Sequence, residues 1–532
     1  MPGMNRRDFL CATAIGGAAA ALARSASAAG GAPAAGWHES EAGDLDAAMA
    51  SGATTAAALA RYFLDRIQSI DRDGAALASV IEVNPDAESI ARALDEERKA
   101  KGPRGPLHGV PVLVKDNLDT HDRMMTTAGS LAMLGSVAPR DSTVVKKLRE
   151  AGALLLGKTN LSEWANFRGQ NSTSGWSARG GLTKNPYALD RNPSGSSSGS
   201  AVAVAAGLCT VAIGTETNGS ILSPSTACGV VGLKPTVGLV SRAGIIPISS
   251  SQDTAGPMGR TVRDAAVLLG AISGPDERDP ATAACEGKCY ADYTQFLDKD
   301  GLRGARVGLA RQFYRVNPKS RLVIDAAVKV LVDAGAEIVK DVDLPDWGSL
   351  GGASYEVMLY EFKHGLNKYF KSLGDMAPVK SLAELIEFNQ RNAEKELRYF
   401  GQEILIAAQE KGPLTDKGYL DAVEKCRRYS RTEGIDAAMD KHKLDALVAP
   451  SGGPAGKTDL VYGDRDIGGS SSPAAVAGYP NVTVAAGEVQ GLPVGISFFG
   501  RAYSEPTLLR LVYAFEQLTK ARKSPQFLPT VG

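Results

Sequence analysis

The sequence predicts an α/β protein built on one large, mixed and mostly parallel sheet with helices on both of its faces. Short apolar runs lie between Gly- and Pro-rich turns, a pattern typical of buried strands. Helical stretches alternate with these runs, and such alternation indicates helices layered on a sheet. The predicted strands include Val110–Val114, Ala153–Leu156, Val211–Ile213 and Val307–Leu309, and the predicted helices include residues 142–151, 199–207, 262–272 and 321–335.

The second half of the chain contains a long helical segment. Residues 351–440 are rich in Glu, Lys, Leu and Ala, and they predict a helical excursion from the sheet. Strand-like sequence resumes at Leu444–Val448, which argues against a separate helical domain, and a closing helix is predicted at residues 505–522. No linker or internal repeat follows residue 36, so residues 37–532 are predicted to form a single domain.

The first 28 residues predict an export signal. Arg6 and Arg7 precede an apolar stretch from Leu10 to Ala23, and small residues before Ala28 form a cleavage site. Paired arginines are typical of the twin-arginine class of signals. The apolar stretch is shorter than the ~20 residues that span a bilayer. We therefore expect a periplasmic or secreted protein, with residues 29–36 as a flexible leader.

Charge and cysteine content narrow the partners that we expect. Basic and acidic residues both number 59, so the formal net charge is zero. Nucleic acids and anionic membranes select basic surfaces, and neither partner is predicted for the mature chain. Cys285 and Cys289 could close a small disulfide loop in an oxidising compartment, and no histidine nearby completes a metal site. No metal or cofactor is predicted, and the oligomeric state stays open.

Three features of the sequence indicate nucleotide binding, a serine–histidine site or a cysteine nucleophile, and the neighbouring residues argue against each. Gly152–Thr159 matches the phosphate-loop pattern, but its Ala-Leu-Leu-Leu core predicts a strand instead of a loop. Gly195–Gly199 matches a nucleophile elbow centred on Ser197, but no strand precedes it. The histidines after it, His364 and His442, lie in charged helical sequence. A cysteine nucleophile is a further alternative, and the apolar surroundings of Cys209 and Cys228 favour inert core thiols.

Three other segments concentrate small residues, as an active site requires for close backbone approach. Gly109–Asn117 ends at Lys115, where burial would favour a neutral amine able to act as a base; a lysine reaching solvent is the alternative. In Ser194–Gly207 a Ser/Gly cluster runs directly into a helix of small residues, where backbone amides at the helix start have no partner. A flexible linker is the alternative. Gly214–Ile221 places Ser220 after several consecutive backbone amides. An oxyanion hole requires this arrangement, and a structural turn is the alternative.

Taken together, these segments resemble the amidase signature family. That family is recognised by a lysine, a Ser/Gly-rich segment and a Gly-Ser pair in this order. The resemblance covers the chain from about Leu45 to Phe527. It includes the segments Gly105–Asn117, Gly157–Ala165, Gly232–Gly238, Ala477–Pro480 and Gly491–Gly495.

The family resemblance assigns roles to particular residues. It implies a triad in which Lys115 is the base, Ser196 follows a cis peptide bond and Ser220 is the nucleophile. It also implies an oxyanion hole made by the amides of Thr217, Asn218, Gly219 and Ser220, with Ser197 and Asn117 in supporting positions. The chain departs from the usual pattern where Ser194, Ser198 and Asn218 replace glycines. Because the oxyanion donors are backbone amides, Asn218 is compatible with this role.

Within the family, three segments look most like the bacterial peptide amidases, which remove the C-terminal carboxamide of peptides: Trp164–Gly169, Ser174–Gly181 and Thr215–Ile221. We therefore expect hydrolysis of a small amide or a peptide amide to the acid plus ammonia. Part of the cleft is predicted at residues 164–181, and a loop packed on the helical excursion is the alternative. A general small-molecule or aryl-acyl amidase is also compatible with the motifs. The amidase component of a tRNA amidotransferase is a further alternative, against which the predicted export argues.

Overall fold

A computed structural model describes residues 36–345, 347–465 and 467–531. The predicted signal at residues 1–28 and nearly all of the predicted leader lie outside these residues. Within the described ranges, every helix is too short or too polar to span a lipid bilayer.

The core of the molecule is an 11-stranded sheet. Its strand order is β1-β3-β2-β6-β8-β7-β12-β13-β11-β9-β10, and β4 and β5 form a separate two-stranded ribbon. The strands are β1 Val80–Val83, β2 Pro111–Lys115, β3 Leu154–Thr159, β4 Trp176–Ser177, β5 Gly181–Leu182, β6 Val211–Glu216, β7 Val231–Lys234, β8 Thr254–Gly259, β9 Arg306–Leu309, β10 Glu337–Val339, β11 Ala446–Pro450, β12 Asn481–Val489 and β13 Leu492–Phe499.

The large mixed sheet confirms the predicted fold class, but the expected predominance of parallel pairing is wrong. Four neighbouring pairs are parallel: β3-β2, β2-β6, β11-β9 and β9-β10. The other six pairs are antiparallel. One physical reason is the short connection between β12 and β13, since a tight turn can join only antiparallel neighbours. The parallel trio β3-β2-β6 is the part of the sheet that carries the site.

Helices cover the sheet and extend beyond it. They are α1 Ala42–Ala50, α2 Ala56–Arg66, α3 Ala87–Lys101, α4 Thr143–Glu150, α5 Ser198–Ala205, α6 Leu222–Ala227, α7 Val262–Ile272, α8 Pro318–Asp333, α9 Trp347–Leu373, α10 Leu382–Arg391, α11 Ala393–Glu396, α12 Glu403–Gln409, α13 Lys417–Arg427, α14 Asp436–His442, α15 Ser472–Ala477 and α16 Glu505–Thr519. Two π-helical turns follow α2 and α13, at Ile67–Arg72 and Arg428–Ile435.

Several helix starts follow directly from local sequence. The side chains of Ser142, Thr261 and Asn317 each accept a hydrogen bond from the amide three residues later, at the starts of α4, α7 and α8. Such capping satisfies an amide that has no partner within the helix. The predicted helices over 142–151, 199–207, 262–272 and 321–335 are thereby confirmed, with ends that shift by up to three residues.

The predicted helical excursion is confirmed and has a core of its own. Helices α9 to α14 occupy most of the segment. Phe362, Phe370, Leu385 and Leu405 are buried there together with Trp164 from the sheet-proximal part of the chain. The excursion therefore packs against the domain and forms one wall of the region beside the carboxyl ends of β2 and β6.

A buried ionic cluster centred on Arg168 joins the excursion to the rest of the domain. Arg168 Nη1 donates to Glu163 Oε1 at 2.5 Å and to the Glu396 carbonyl at 2.5 Å. Its Nη2 donates to the Phe400 carbonyl at 3.1 Å. The Glu396 carboxylate also lies 3.7 Å from Arg168 Nη1, and both carboxylates and the guanidinium are fully buried. Removal of one partner would leave the remaining charges without solvent or a counter-ion.

We expect Arg168→Met to lower the free energy of unfolding by about 3 kcal/mol or more, because it removes one partner of a buried ion pair. Urea denaturation measures this change. Arg391→Met is the matched control, since the Arg391–Glu387 pair lies at 68% and 65% side-chain exposure. Exposed pairs of that kind contribute about 0–1 kcal/mol. Equal effects of the two substitutions would contradict the structural role given to Arg168.

Candidate active site

Lys115 lies at the carboxyl end of β2, the third strand from one edge of the sheet. The parallel neighbours β3 and β6 place Thr159 opposite Lys115 and Ile213 opposite Val114. The carboxyl ends of parallel strands meet at one edge of a sheet, where α/β enzymes commonly bind their ligands. This register brings Lys115 to the end of β6, where Thr215 and Glu216 lie. All three residues are buried.

The Lys115 amine is surrounded by hydroxyl groups. Its Nζ lies 2.7 Å from Ser196 Oγ, 3.0 Å from Ser197 Oγ and 2.9 Å from Thr215 Oγ1. Asn117 Nδ2 also donates to Thr215 Oγ1, at 3.0 Å. The structure therefore brings together Lys115, Ser196, Ser197 and Asn117, four of the residues singled out from sequence, and adds Thr215.

The hydroxyl of Ser197 is already committed within this network. It donates to the Thr215 carbonyl at 3.0 Å and accepts from the Thr215 amide at 3.1 Å. Among the described residues, Ser196 Oγ has Lys115 as its hydrogen-bond partner and no other. Ser196 therefore retains the capacity to exchange a proton with Lys115 on one side and with a further group on the other.

Burial makes the neutral form of the Lys115 amine accessible near neutral pH. The loss of solvation lowers the pKa of Lys115 to about 7, and the negative charges of Glu216 and Asp253 oppose part of that change. No carboxylate forms an ion pair with Lys115 among the residues described. A lysine that shares its protons with hydroxyl groups instead of a carboxylate can lose one without breaking an ion pair.

Ser196 and Ser220 are brought together by the backbone around α5. The Gly195–Ser196 peptide bond is cis, as the family resemblance implies. The Ser196 carbonyl accepts a hydrogen bond from the Ser162 amide at 3.1 Å, and a Cβ at Gly195 would collide with Ser162 Oγ. The Ser197 amide donates to the Ser220 carbonyl at 3.0 Å. Ser220 therefore lies beside the Ser196–Ser197 pair, and its side chain is half-buried.

The loop before Ser220 presents a row of available amides. Within the described ranges, the amides of Thr217, Asn218, Gly219 and Ser220 donate no hydrogen bond. The next two amides, of Ile221 and Leu222, both donate to Glu216 Oε2, at 2.7 and 3.0 Å. Gly219 has a φ of +84°, a conformation that favours glycine. An oxyanion hole requires such oriented and unused donors.

Side chains anchor this loop on both sides. Thr217 Oγ1 donates to Asp253 Oδ1 at 2.6 Å, and Asp253 also accepts from the amides of Ile248 and Ser249. Burial raises the pKa of Asp253 to about 6. On the other side, Ser471 Oγ donates to Asn218 Oδ1 at 2.8 Å, which ties the loop to the start of α15. Asn218 thus has a positioning contact that glycine could not make.

A cavity of about 600 Å³ adjoins the network. Asn117, Thr215 and Thr217 line it at the end nearest Lys115, and Tyr369 from α9 lines it on the excursion side. An apolar stretch at residues 245–248 forms another part of its wall. The cavity therefore begins at the hydroxyl network and extends along the helical excursion.

The segment at residues 164–181 lies mostly elsewhere, which corrects the prediction that it forms part of the cleft. Ala165 alone of that segment lines the cavity. Trp164 packs edge-on against Phe370, and Trp176 packs against Phe400. Both tryptophans are buried. Their large apolar surfaces stabilise the contact with the excursion, so the alternative prediction of a loop packed on the excursion fits this segment.

The structure also places the residues of the competing motifs. Leu154–Thr159 is strand β3, so the phosphate-loop pattern falls on a strand, as its apolar core predicts. Burial raises the pKa of Cys209 to about 12 and that of Cys228 further still. Cys285 and Cys289 are both free thiols. No cluster of three or more His, Cys, Asp or Glu side chains suited to a metal occurs in the described part of the chain.

Three site residues escaped prediction from the sequence: Thr215, Glu216 and Asp253. Thr215 and Glu216 lie within a segment that the motifs indicate. The position of the Glu216 carboxylate directly before the Thr-Asn-Gly-Ser turn could have indicated its role. Asp253 lies 36 positions from its partner Thr217. No local pattern indicates that contact, because it depends on the antiparallel pairing of β6 with β8.

Comparisons with known proteins agree with this geometry. The sequence profile of the Amidase family matches residues 58–509. The native peptide amidase from Stenotrophomonas maltophilia has a similar structure, with a TM-score of 0.88 and 52% sequence identity over 92% of this chain and 99% of that one.

Two further relatives extend the comparison. A probable amidase of Arabidopsis thaliana is 43% identical, over 91% of each chain. A glutamyl-tRNA(Gln) amidotransferase component from Carboxydothermus hydrogenoformans is 34% identical, over 88% of this chain and 95% of that one. The similarity to this amidotransferase component is lower than the similarity to the peptide amidase.

We expect the Lys115 amine to titrate near pH 7, because its burial disfavours the ammonium form. Lysine-selective labelling with ¹³C and ¹⁵N, followed by NMR during a pH titration, measures this pKa. The Lys115→Arg variant assigns the resonance, and the ordinary lysine pKa of about 10.4 is the reference. A Lys115 signal that titrates together with the exposed lysines would show that the amine is charged at neutral pH.

Proposed function

The chain belongs to the amidase family, and on that basis we propose that it removes the C-terminal carboxamide of peptides as ammonia, with a Ser220–Ser196–Lys115 triad. Membership of the family makes it a hydrolase acting on amide C–N bonds. The observation that carries the proposal is the buried Lys115 amine, 2.7 Å from Ser196 Oγ and beside the loop that holds Ser220. The 52% identity to a peptide amidase supports the substrate class.

The proposed first half-reaction acylates Ser220. Its Oγ attacks the amide carbon while its proton passes to Ser196 Oγ, and the Ser196 proton passes to the neutral Lys115 amine. The amides of residues 217–220 stabilise the negative oxygen that forms. The nitrogen of the tetrahedral intermediate then takes up the proton returned through Ser196 and leaves as ammonia. The C–N bond is broken and an ester to Ser220 remains.

The second half-reaction uses the same groups with water as the nucleophile. Water loses a proton through Ser196 to Lys115, attacks the ester carbon and releases the acid, and the proton returns to Ser220 Oγ. The reactive form of the enzyme contains neutral Lys115. The value of kcat/KM should therefore rise as the pH increases through about 7 and level off above that point.

The cavity favours a substrate whose acyl part is larger than that of a simple amide. Ammonia needs little space on the leaving-group side, whereas about 600 Å³ adjoin the hydroxyl network. Pockets of this size accept groups of peptide or drug dimensions. A general small-molecule or aryl-acyl amidase shares this chemistry and is the second candidate, because residues 245–248 give the cavity an apolar wall.

We also propose that the protein is exported through its twin-arginine-type N-terminus, with cleavage after Ala28. The support for this proposal is the sequence of the first 28 residues. The N-terminal residue of the protein recovered from a periplasmic fraction tests it.

We expect a fluorophosphonate to modify Ser220, because an activated serine nucleophile forms a stable adduct with such reagents. Peptide mapping by mass spectrometry locates the adduct. Ser220→Ala should lose the label and nearly all turnover, and it should keep the unfolding free energy of the parent, since Ser220 is only half-buried. Ser197→Ala serves as the control for the elbow motif. An adduct on Ser197 with Ser220→Ala still active would refute the triad.

One peptide offered in three forms tests the substrate class: as the C-terminal amide, as the free acid, and with one further C-terminal residue. We expect ammonia release from the amide alone and no cleavage of the extended form, because a cleft closed on the leaving-group side excludes another residue. Coupled ammonia detection and mass spectrometry measure both reactions. Comparable cleavage of the extended peptide, or activity restricted to acetamide, would refute the peptide-amide assignment and leave the triad intact.

A further inference from the structure

A second cavity continues the first one along helix α9. It has a volume of about 560 Å³, and His364, Lys368 and Leu414 line both cavities. The remaining lining residues are Lys363, Asn367, Lys371, Lys411, Gly412 and Pro413. We call this second cavity the lysine groove. It contains four lysines and no carboxylate among its lining residues.

Helix periodicity explains why the lysines of α9 face the same space. Lys363, Asn367 and Lys371 are spaced four residues apart, as are His364 and Lys368. Residues at this spacing lie on one face of a helix. The loop at residues 411–414, between α12 and α13, forms the opposite side. The groove is therefore built by two elements of the excursion instead of by a single exposed turn.

Two of the four lysines have no partner within the described part of the chain. Lys363 Nζ donates to the carbonyls of Gln409 and Lys411, and Lys411 Nζ binds Glu356 at 2.7 Å. Lys368 and Lys371 are exposed and form neither a hydrogen bond nor an ion pair among those residues. Their ammonium groups are thus available to a ligand.

The first cavity contains five carboxylates, of which Asp279 alone forms an ion pair among the described residues. Asp279 binds Arg242 through both oxygens, and Asp119 accepts from Tyr369 at 2.8 Å. Glu361 accepts hydrogen bonds from Ser249 and Tyr419, while Asp253 and Glu216 hold the loop before Ser220. Hydrogen bonds from neutral donors leave a carboxylate its charge, so the first cavity holds charges of both signs, whereas the lysine groove is lined by lysines and by no carboxylate.

We propose that the lysine groove is a substrate subsite that binds acidic side chains of a peptide amide, on the N-terminal side of the residue whose carboxamide is cleaved. The inference rests on the proposed function. The carboxamide must lie at Ser220, so the rest of the peptide extends through the first cavity. An extended chain advances about 3.3–3.6 Å per residue, so each added residue moves its side chain further toward α9. Lys368 borders both cavities and is the first ammonium group of the groove that such a chain meets.

The test uses acetylated peptide amides that end in Ala-Phe-NH₂ and carry either Glu or Gln at each of the three preceding positions in turn. We expect kcat/KM to favour Glu over Gln by about fivefold at one or more positions at low ionic strength, as two exposed charge pairs allow. The preference should shrink in 1 M NaCl, where charges more than ~3 Å apart are screened.

Substitutions locate the preference. The Lys368→Gln/Lys371→Gln variant should bring the Glu-to-Gln ratio close to one, and Lys368→Glu/Lys371→Glu should invert it. The control is Lys299→Gln/Lys319→Gln, which removes the same charge from exposed lysines remote from both cavities and should keep the parental ratio. If the parent enzyme has a Glu-to-Gln ratio of kcat/KM equal to one at every position, the proposal is overturned.

A binding measurement separates failure of the subsite from failure of the proposed function. Fluorescein-labelled Glu and Gln peptide amides are titrated against Ser220→Ala protein, and anisotropy gives Kd without turnover. We expect the Glu peptide to bind about fivefold more tightly. If no peptide amide is hydrolysed, the proposed function fails and the ratio of Kd values alone decides the subsite. If the neutral peptide is hydrolysed and both Kd values agree, the subsite fails alone.

Discussion

The buried Lys115 amine lies at the end of a strand in an 11-stranded sheet, away from solvent and without a carboxylate partner among the described residues. A buried ammonium group is costly unless it is paired, and the alternative to pairing is a lower pKa. Here hydroxyl oxygens surround Nζ. Two features place those hydroxyls: the parallel register of β2 with β6, and the close approach of the segment before α5. The rest of the site is arranged around this one amine.

The loop that carries Ser220 shows how the structure keeps backbone donors available. The Glu216 carboxylate accepts hydrogen bonds from the amides of Ile221 and Leu222 at the start of α6. The four amides before them therefore stay available to a ligand. Thr217 is tied to Asp253, and Asn218 is tied to Ser471. Contacts on both sides fix the direction of the amides in advance, and electrostatic stabilisation of an oxyanion depends on that preorganisation.

The helical excursion connects stability with specificity. Its own core packs around Trp164 and Phe370, and the Arg168 cluster joins it to the sheet domain. Helix α9 also borders the two cavities, and its Tyr369 and Leu373 belong both to this core and to the wall of the first cavity. A single long helix therefore buries apolar residues on one side and presents lysines on another, because 3.6 residues per turn divide it into distinct faces.

Local sequence was sufficient for the elements and for the order of the site segments. Apolar runs predicted β2, β3 and β6, and a family pattern of lysine, Ser/Gly cluster and Gly-Ser pair singled out Lys115, Ser196 and Ser220. These features depend on neighbouring residues or on a motif read along the chain. The strand directions were harder to predict, since a buried antiparallel strand such as β13 is as apolar as a parallel one.

The sequence by itself therefore determined many of the helices and strands and the lysine and serines of the site. The tertiary structure decided what surrounds them: Thr215 against Lys115, Asp253 against Thr217, and the placement of Trp164 and Phe167 in the excursion core instead of the cleft. It also decided that α9 continues the cavity with a row of lysines. The physical reason is that pKa values, cavities and unpaired charges arise from contacts between residues far apart in the chain, and such contacts leave no pattern in the local sequence.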